Sequence, residues 1–271
     1  MNPPLYLHHS ADPYFNMGFD EWMLRYASNF PGSLIWRLYT WQIGTITFGY
    51  NQRQETALDF EKAGDTPVIR RITGGRALYH DISELTYSVA YNLADPGTDQ
   101  FRTGPAKSSE AIAMILARFL AARGVTATWE QSSAQENSRR DFFHKAACFA
   151  SHARHELVSG GGKIVASARR EWNGGVLQHG SIKLNGLVAH PALHFQQDAR
   201  PAPEKSVARS ELNDCAIAFA DAVRDTIGVS VHATTDDLLD SPDIASRTQF
   251  VRQYPFEKRD LIAHSDTIAS Q

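Results

Sequence analysis

The stretch Arg70-Arg71-Ile72-Thr73-Gly74-Gly75-Arg76-Ala77-Leu78-Tyr79-His80-Asp81 decides how the chain is read. A doubled glycine between two apparent strands lets backbone amides come close to a ligand, because neither residue carries a Cβ. Such a loop favours a ligand rich in oxygens. Arg70, Arg71 and Arg76 offer donors suited to a phosphate or carboxylate, while Thr73, His80 and Asp81 are polar groups able to fix the loop. Taken alone, the stretch also describes a structural turn with a basic rim.

Working outward, Leu34 to Tyr39, Thr45 to Tyr50 and Val68 to Ile72 are β-rich runs separated by Gly, Asn and Pro. Leu85, Tyr87, Val89 and Tyr91 alternate with Thr86, Ser88 and Ala90, the two-residue period of a strand with one buried face. Asp12-Pro13 can cap and begin a helix on which Phe15, Phe19, Trp22, Met23 and Tyr26 share a face. A second helix starts at Ser108 or Ser109, repeats Ile112, Ile115, Leu116, Phe119 and Leu120 at helical spacing, and stops at Gly124.

Gln131 to Arg140 is polar and reads as a loop. Glu156 to Val158 and Lys163 to Ala168 read as hairpin strands joined through Gly160-Gly161-Gly162, which puts Lys163 at the return. Ser210 to Ile227 gives a third helix with Leu212, Cys215, Phe219 and Val223 inward and Gly228 as its stop. The remainder, ending in His264 to Gln271, reads as peripheral and partly disordered. Strands mixed with segregated helices predict an α+β domain. Its boundary falls near Pro191 to Pro203, dividing a catalytic region, residues 1–195, from a C-terminal helical extension, residues 196–271, packed on or continuous with it.

Bulk properties narrow the function. With 271 residues, 30.1 kDa and 42% apolar content, the chain can bury a core. Its 27 basic and 30 acidic side chains leave a net charge of −3, which provides no broad cationic field for nucleic acid. The start, Met1-Asn2-Pro3-Pro4-Leu5-Tyr6-Leu7-His8-His9, has neither the basic residues nor the apolar run of a secretory signal, so a cytoplasmic protein is expected. Ala111 to Ala122, the most apolar run, is broken by Arg118 and is shorter than the roughly 20 residues a membrane span needs. Two cysteines, Cys148 and Cys215, allow at most one disulfide, which a reducing compartment disfavours.

Chemistry concentrates around Cys148. Lys145, His144 and His152 are close to it in sequence, and cationic neighbours raise the thiolate fraction that a nucleophile needs. The other reading of Cys148 is a small buried hydrophobe. Cys215, on the stripe of Leu212 and Phe219, reads as packing. Lys163 follows three glycines and can point at a carbonyl or phosphate, or remain a solvated hairpin lysine. His144, Cys148, His152 and His155 have spacings that could collect zinc on a helix, but one thiol is an incomplete structural set, and no metal is expected.

The loop at Gly74-Gly75, the run Gly160-Gly161-Gly162-Lys163-Ile164-Val165-Ala166-Ser167-Ala168, and Gly175-Val176-Leu177-Gln178-His179-Gly180-Ser181-Ile182 follow in order. Together, from about Asp12 to Leu184, they resemble the cofactor-transferase family of lipoate and biotin protein ligases and octanoyltransferases. The resemblance implies a mixed sheet flanked by helices. It implies a substrate site at Arg71, Thr73, Gly74, Gly75, His80, Ser167, His179 and Gly180, with Cys148 as nucleophile and Lys163 at the acyl carbonyl.

The implied activity moves an octanoyl or lipoyl group from acyl carrier protein to a lysine of a lipoyl-domain or glycine-cleavage-H-like acceptor, without a cofactor. One alternative is a lipoate ligase using ATP and Mg. Another is a carrier-binding paralogue without turnover. Two positions depart from the resembling branch: Ala166 stands where many members have Gly, and Arg169 where Gln is common.

Overall fold

Asp12 does what a helix start requires: its carboxylate accepts from the free amides of Tyr14 and Phe15, both at 3.0 Å, and helix α1 spans Pro13–Asn29. The structure is a computed structural model in which residues 2–102, 104–130, 156–159, 162–188, 190–193, 204–235 and 241–257 are described. Strand β1 (Pro4–Ala11) precedes α1. It is followed by β2 (Leu34–Trp41), β3 (Thr45–Phe48), the short helices α2 (Gln54–Ala57) and α3 (Phe60–Ala63), β4 (Val68–Arg70), β5 (Leu78–His80) and β6 (Leu85–Asn92). Helices α4 (Asp99–Arg102) and α5 (Pro105–Ala122) lead to β7 (Thr128–Glu130), β8 (Glu156–Ser159), β9 (Gly162–Trp172) and β10 (Gly175–Ile182). Helix α6 (Arg209–Ile227), β11 (His232–Thr234) and α7 (Pro242–Gln253) complete the described elements.

Eight strands form one mixed sheet in the order β11-β1-β2-β6-β10-β9-β8-β7, and β4-β3-β5 form a small second sheet. Strand β1 is parallel to β11 and β2, whereas β2, β6, β10 and β9 are successively antiparallel. This is the α+β arrangement of a mixed sheet flanked by helices that the sequence predicts. One sheet face packs Trp36, Leu38, Tyr87, Val89 and Tyr91 against Ile112, Ile115 and Phe119 of α5 and Phe219 of α6. The opposite face lies under α1, where Phe19, Trp22, Met23 and Leu24 meet Ile35, Ala90 and Leu177.

The second layer corrects one expectation. Strand β6 alternates as though one face met water, yet all eight of its residues are buried. Thr86 and Ser88 face a polar network beneath α1 rather than solvent. Helix α5 also begins earlier than Ser108, at Pro105, where a missing N–H costs nothing because first-turn amides lack helical partners. The stretch after Gly228, expected to be peripheral, instead contributes β11, which pairs with β1, and α7, whose Ile244 and Val251 are fully buried. Gln131 to Arg140 and His264 to Gln271 lie outside the described residues. No helix among the described residues is long and apolar enough to cross a membrane.

Helix α6 belongs to the main core. Phe219, 1% exposed, meets the Trp36 ring at 5.6 Å and Phe119 at 5.8 Å. Phe219→Ala removes most of a large buried side chain and leaves a cavity, so the unfolding free energy from urea titration should fall by about 3–5 kcal/mol. A loss below about 1 kcal/mol would mean that α6 docks too loosely to form part of the cooperative unit.

Candidate active site

Sheet register assembles the centre of the site. Arg37 on β2, Ser88 on β6, His179 on β10 and Ala168 on β9 occupy one row across four strands. Asp20 descends onto this row from α1. Its Oδ1 accepts from Arg37 Nη1 at 3.0 Å and Ser88 Oγ at 2.8 Å, and its Oδ2 from Tyr39 OH at 3.1 Å and His179 Nδ1 at 2.7 Å. Burial by itself would raise the Asp20 carboxyl pKa, but the bond to His179, the charges of His179 and Arg37, and the Ser88 bond together hold it below its ordinary value. Arg37 also donates to Asn16 O at 3.0 Å, to Asn16 Oδ1 at 2.6 Å and to His8 Nδ1 at 2.8 Å. Burial first, and the Arg37 charge second, push the His8 pKa down to about 2, so the imidazole stays neutral and can accept that bond.

The glycine loop lies against the same row. Thr73 Oγ1 shares a hydrogen bond of 2.6 Å with His179 Nε2, and Thr73 O accepts from the Tyr50 amide at 2.8 Å. Arg71 sends Nε and Nη2 to Gly74 O at 3.0 and 2.7 Å, and Nη2 also to Arg76 O at 2.7 Å. Arg70 donates to the carbonyls of Gly49, Tyr50, Gln52 and Phe256. These arginine donors, which the sequence offers to a ligand, hold backbone carbonyls. Gly75 has φ +88°, and a Cβ on Gly49 would come within 1.9 Å of Gly75 O, so the two loops touch backbone to backbone. Among the described residues, the Gly74 and Gly75 amides meet no acceptor.

A second buried cluster closes the neighbouring wall. Glu84 Oε1 meets His80 Nδ1 at 2.7 Å and Thr86 Oγ1 at 2.8 Å, while Oε2 pairs with Lys183. His80 Nε2 meets Thr47 Oγ1 at 2.8 Å, and its ring stacks on Trp41 with centroids 4.2 Å apart. Both ring nitrogens of His80 thus have partners inside the protein.

Between the clusters lies a narrow pocket, part of it open to solvent. Met17, Tyr39, Leu78, Ala166 and Ala168 give it apolar surface, and Arg71, His80, His179, Gly180 and Ser167 also line it. Ser181 Oγ is buried there without a hydrogen-bond partner among the described residues. Ser167 Oγ shares a hydrogen bond of 2.8 Å with Tyr87 OH. Thr73 is fully buried behind the pocket and reaches it through His179. Lys163 is half-buried on β9 opposite Val158, three residues along the strand from Ala166. Cys148 and the possible zinc set His144, Cys148, His152 and His155 lie outside the described residues.

Residues 12–214 match the family model of the lipoyl protein ligase A/B catalytic domain. The chain belongs to this family. It is similar to the octanoyltransferase LipM of Moorella thermoacetica, with 38% identity over 70% of this chain and 68% of that protein. LipM of Staphylococcus aureus is 34% identical over 64% of this chain and 62% of its own length, so the chain matches only about two thirds of either relative. Two solved structures share the fold. A lipoate-protein ligase A bound with ATP has a TM-score of 0.62 at 18% identity, covering 93% of this chain and 95% of that one. The bi-partite lipoate protein ligase of Thermoplasma acidophilum, solved in work on it and its E2 lipoyl domain, gives 0.62 at 17%, covering 93% and 92%.

In this lipoyl protein ligase A/B domain, the motif spacings bring together the glycine loop, His80, Ser167, His179 and Gly180. They do not point to Asp20, Arg37, Tyr39, Thr47 or Glu84. One signal was available: Asn16 and Asp20 lie four residues apart on a helix beside Phe15, Met17 and Phe19, and buried polar groups at such positions need partners.

Glu84 generates a pH prediction. Its burial alone would raise its pKa, but the charges of His80 and Lys183 and their hydrogen bonds lower it from 4.5 to about 2. A carboxyl depressed in the folded state contributes stability that is fully present above its unfolded pKa and lost as pH falls through its folded pKa. The Glu84 contribution should therefore disappear between pH 4.5 and about 2, amounting to about 3 kcal/mol. Glu84→Gln should be less stable than the parent at pH 7, and the gap should close by that amount on acidification. Urea titrations at several pH values that gave parallel curves would contradict the assignment.

Proposed function

We propose that the chain is a protein acyltransferase of lipoate metabolism, moving an octanoyl group from a carrier-protein thioester onto a lysine of a lipoyl-accepting protein. The observation that carries this reading is a pocket with apolar walls set beside a loop whose Gly74 and Gly75 amides have no acceptor among the described residues. An acyl thioester needs both features. Burying about seven methylene groups at about 0.8 kcal/mol each supplies binding, and free amides stabilise the oxyanion that develops on the attacked carbonyl. The similarity to octanoyltransferases named LipM supports the same reading.

In this mechanism the Cys148 thiolate adds to the thioester carbonyl and the carrier thiolate leaves, taking a proton, to give an acyl-enzyme. The acceptor lysine amine then attacks that second thioester. The new C–N bond forms as the C–S bond to Cys148 breaks, and the proton lost by the amine restores the thiol. Lys163 orients the acyl carbonyl during both steps. The acceptor is a lipoyl domain or a glycine-cleavage-H-like protein.

Intact mass after incubation with octanoyl carrier protein should show one octanoyl adduct, absent in Cys148→Ser and kept in Cys215→Ser. An unmodified parent mass under turnover conditions would overturn the acyl-enzyme. A second reading, ATP-dependent lipoate ligation, is favoured by the fold shared with a lipoate-protein ligase solved with ATP. Transfer in nucleotide-free buffer separates the two: the transferase proceeds because its donor is already activated, whereas a ligase needs ATP with free acid and survives Cys148→Ser.

Lys163→Met keeps much of the apolar stem and removes the charge. Transfer should drop at least about tenfold, equivalent to about 1.4 kcal/mol of barrier, with little change in melting temperature. Parental activity in that variant would remove Lys163 from the mechanism.

A further inference from the structure

Four carbonyls of the glycine loop are held by hydrogen bonds from the structure around it. Ile72 O takes Arg170 at 2.9 Å, Thr73 O takes the Tyr50 amide at 2.8 Å, and Gly74 O and Arg76 O take Arg71 at 2.7 Å. Gly75 O lies against Gly49. Arg170 also stacks on the Tyr50 ring at 4.1 Å, joining two of these supports. With these carbonyls bonded, the Gly74 and Gly75 amides, like those of Ile72 and Thr73, have no acceptor among the described residues.

The Thr73 side chain is a further fastening of the loop, fully buried and 2.6 Å from His179 Nε2. His179 is itself held by Asp20 at 2.7 Å, and Asp20 by Arg37, Ser88 and Tyr39. Asp20, Arg37, Ser88 and Tyr39 belong to α1 and the main sheet, so the chain of bonds transmits the position of the rigid core to the middle of the loop. A carboxylate-oriented imidazole fixes ring and direction, and an oxyanion-binding amide is effective only when its direction is set before the charge develops.

We propose that Thr73 and His179 are positioning residues for acyl transfer: the relay from Asp20 through the imidazole to the threonine hydroxyl keeps the Gly74 and Gly75 amides aimed at the acyl carbonyl. The catalytic consequence rests on the acyltransferase reading. The mechanical consequence, a loop held rigid by the relay, does not.

Two substitutions cut the relay from opposite ends, so either one that folds can test it. Thr73→Val keeps the shape and loses the hydroxyl. His179→Asn keeps a short donor toward Asp20 and falls short of Thr73. Each should lower kcat for octanoyl transfer at least about tenfold with KM changed less than about threefold, because the amides act on the developing oxyanion rather than on acyl binding. Thr73→Ser, which retains the hydroxyl and loses a methyl, should recover most of the rate. Residues 72–77 should exchange amide hydrogen faster in Thr73→Val and His179→Asn, while the core of β6 does not. The double variant should be no slower than the worse single one, since one relay can be cut only once.

Additive losses in the double variant, or Thr73→Ser as impaired as Thr73→Val, would overturn the proposal in favour of simple packing. Unchanged loop exchange would overturn it independently of turnover. If the parent protein transfers no octanoyl group, the acyltransferase reading fails by itself, and the exchange measurements still decide whether the relay holds the loop.

Discussion

Asp20 and Arg37 form an ion pair with side chains 1% and 0% exposed, and the candidate site is built outward from it. Taking two such charges out of water costs several kcal/mol each, which their attraction offsets only when the remaining polar atoms are also bonded. That condition explains the crowding around them. Asp20 accepts from Arg37, Ser88, Tyr39 and His179, and Arg37 spends its other donors on Asn16 and His8 while lying 3.9 Å from the Tyr39 ring centroid and 4.5 Å from that of Phe19. Apolar packing would let α1 slide or rotate by small amounts over the sheet at modest cost. A buried pair with directional partners does not, so α1, β2, β6 and β10 are registered to one another at the row that also carries His179.

The same sheet divides its two faces between different tasks. Toward α5 and α6, sheet side chains such as Leu38 and Val89 meet Phe219 of α6 and bury apolar area without directional demands. Toward α1 and the glycine loop, successive rows carry Arg37, Ser88 and His179, then Tyr39, Thr86 and Ser181. Gly180 sits between two residues of that second face but belongs to the first. A Cβ there would approach Ala166 O to 2.6 Å and Tyr87 Cε1 to 2.7 Å, the space through which Tyr87 reaches Ser167. Its glycine is therefore a packing requirement of the opposite face, and only its backbone borders the pocket.

What could be read in the sequence followed periodicity and glycine. The α1 aromatic face, the strand alternation of β6, the α6 stripe and the glycine loop are local patterns, and each gives the element it specifies. Strand β1 and helix α7 left weaker signals: Leu5 and Leu7 alternate over too short a run, and α7 is mostly polar with only Ile244 and Val251 buried. The buried clusters were illegible for another reason. Asp20 and His179, or Glu84 and Lys183, are about 160 and 100 positions apart, and nothing local distinguishes a carboxylate that will meet an imidazole across a sheet from one that faces water. Arg71 shows the same limit. Its composition suggests an anion ligand, whereas its position makes it the clamp of its own loop.

That distinction separates the two departures from the resembling branch. Ala166 pairs with Ser181 and lines the pocket at 3% exposure, so its methyl occupies space that a glycine would leave to the ligand. Arg169, three residues further along β9, pairs with Gln178, sends Nη1 to Ser108 of α5 at 2.8 Å and lies 5.8 Å from the Tyr91 ring centroid. Those contacts lie on the apolar helix-covered face. An alternating strand thus places one change where it narrows the cavity and the other where it ties β9 to α5. Two substitutions that look alike in a motif act on different properties: the first on the shape of the pocket, the second on how firmly the sheet holds its helical cover.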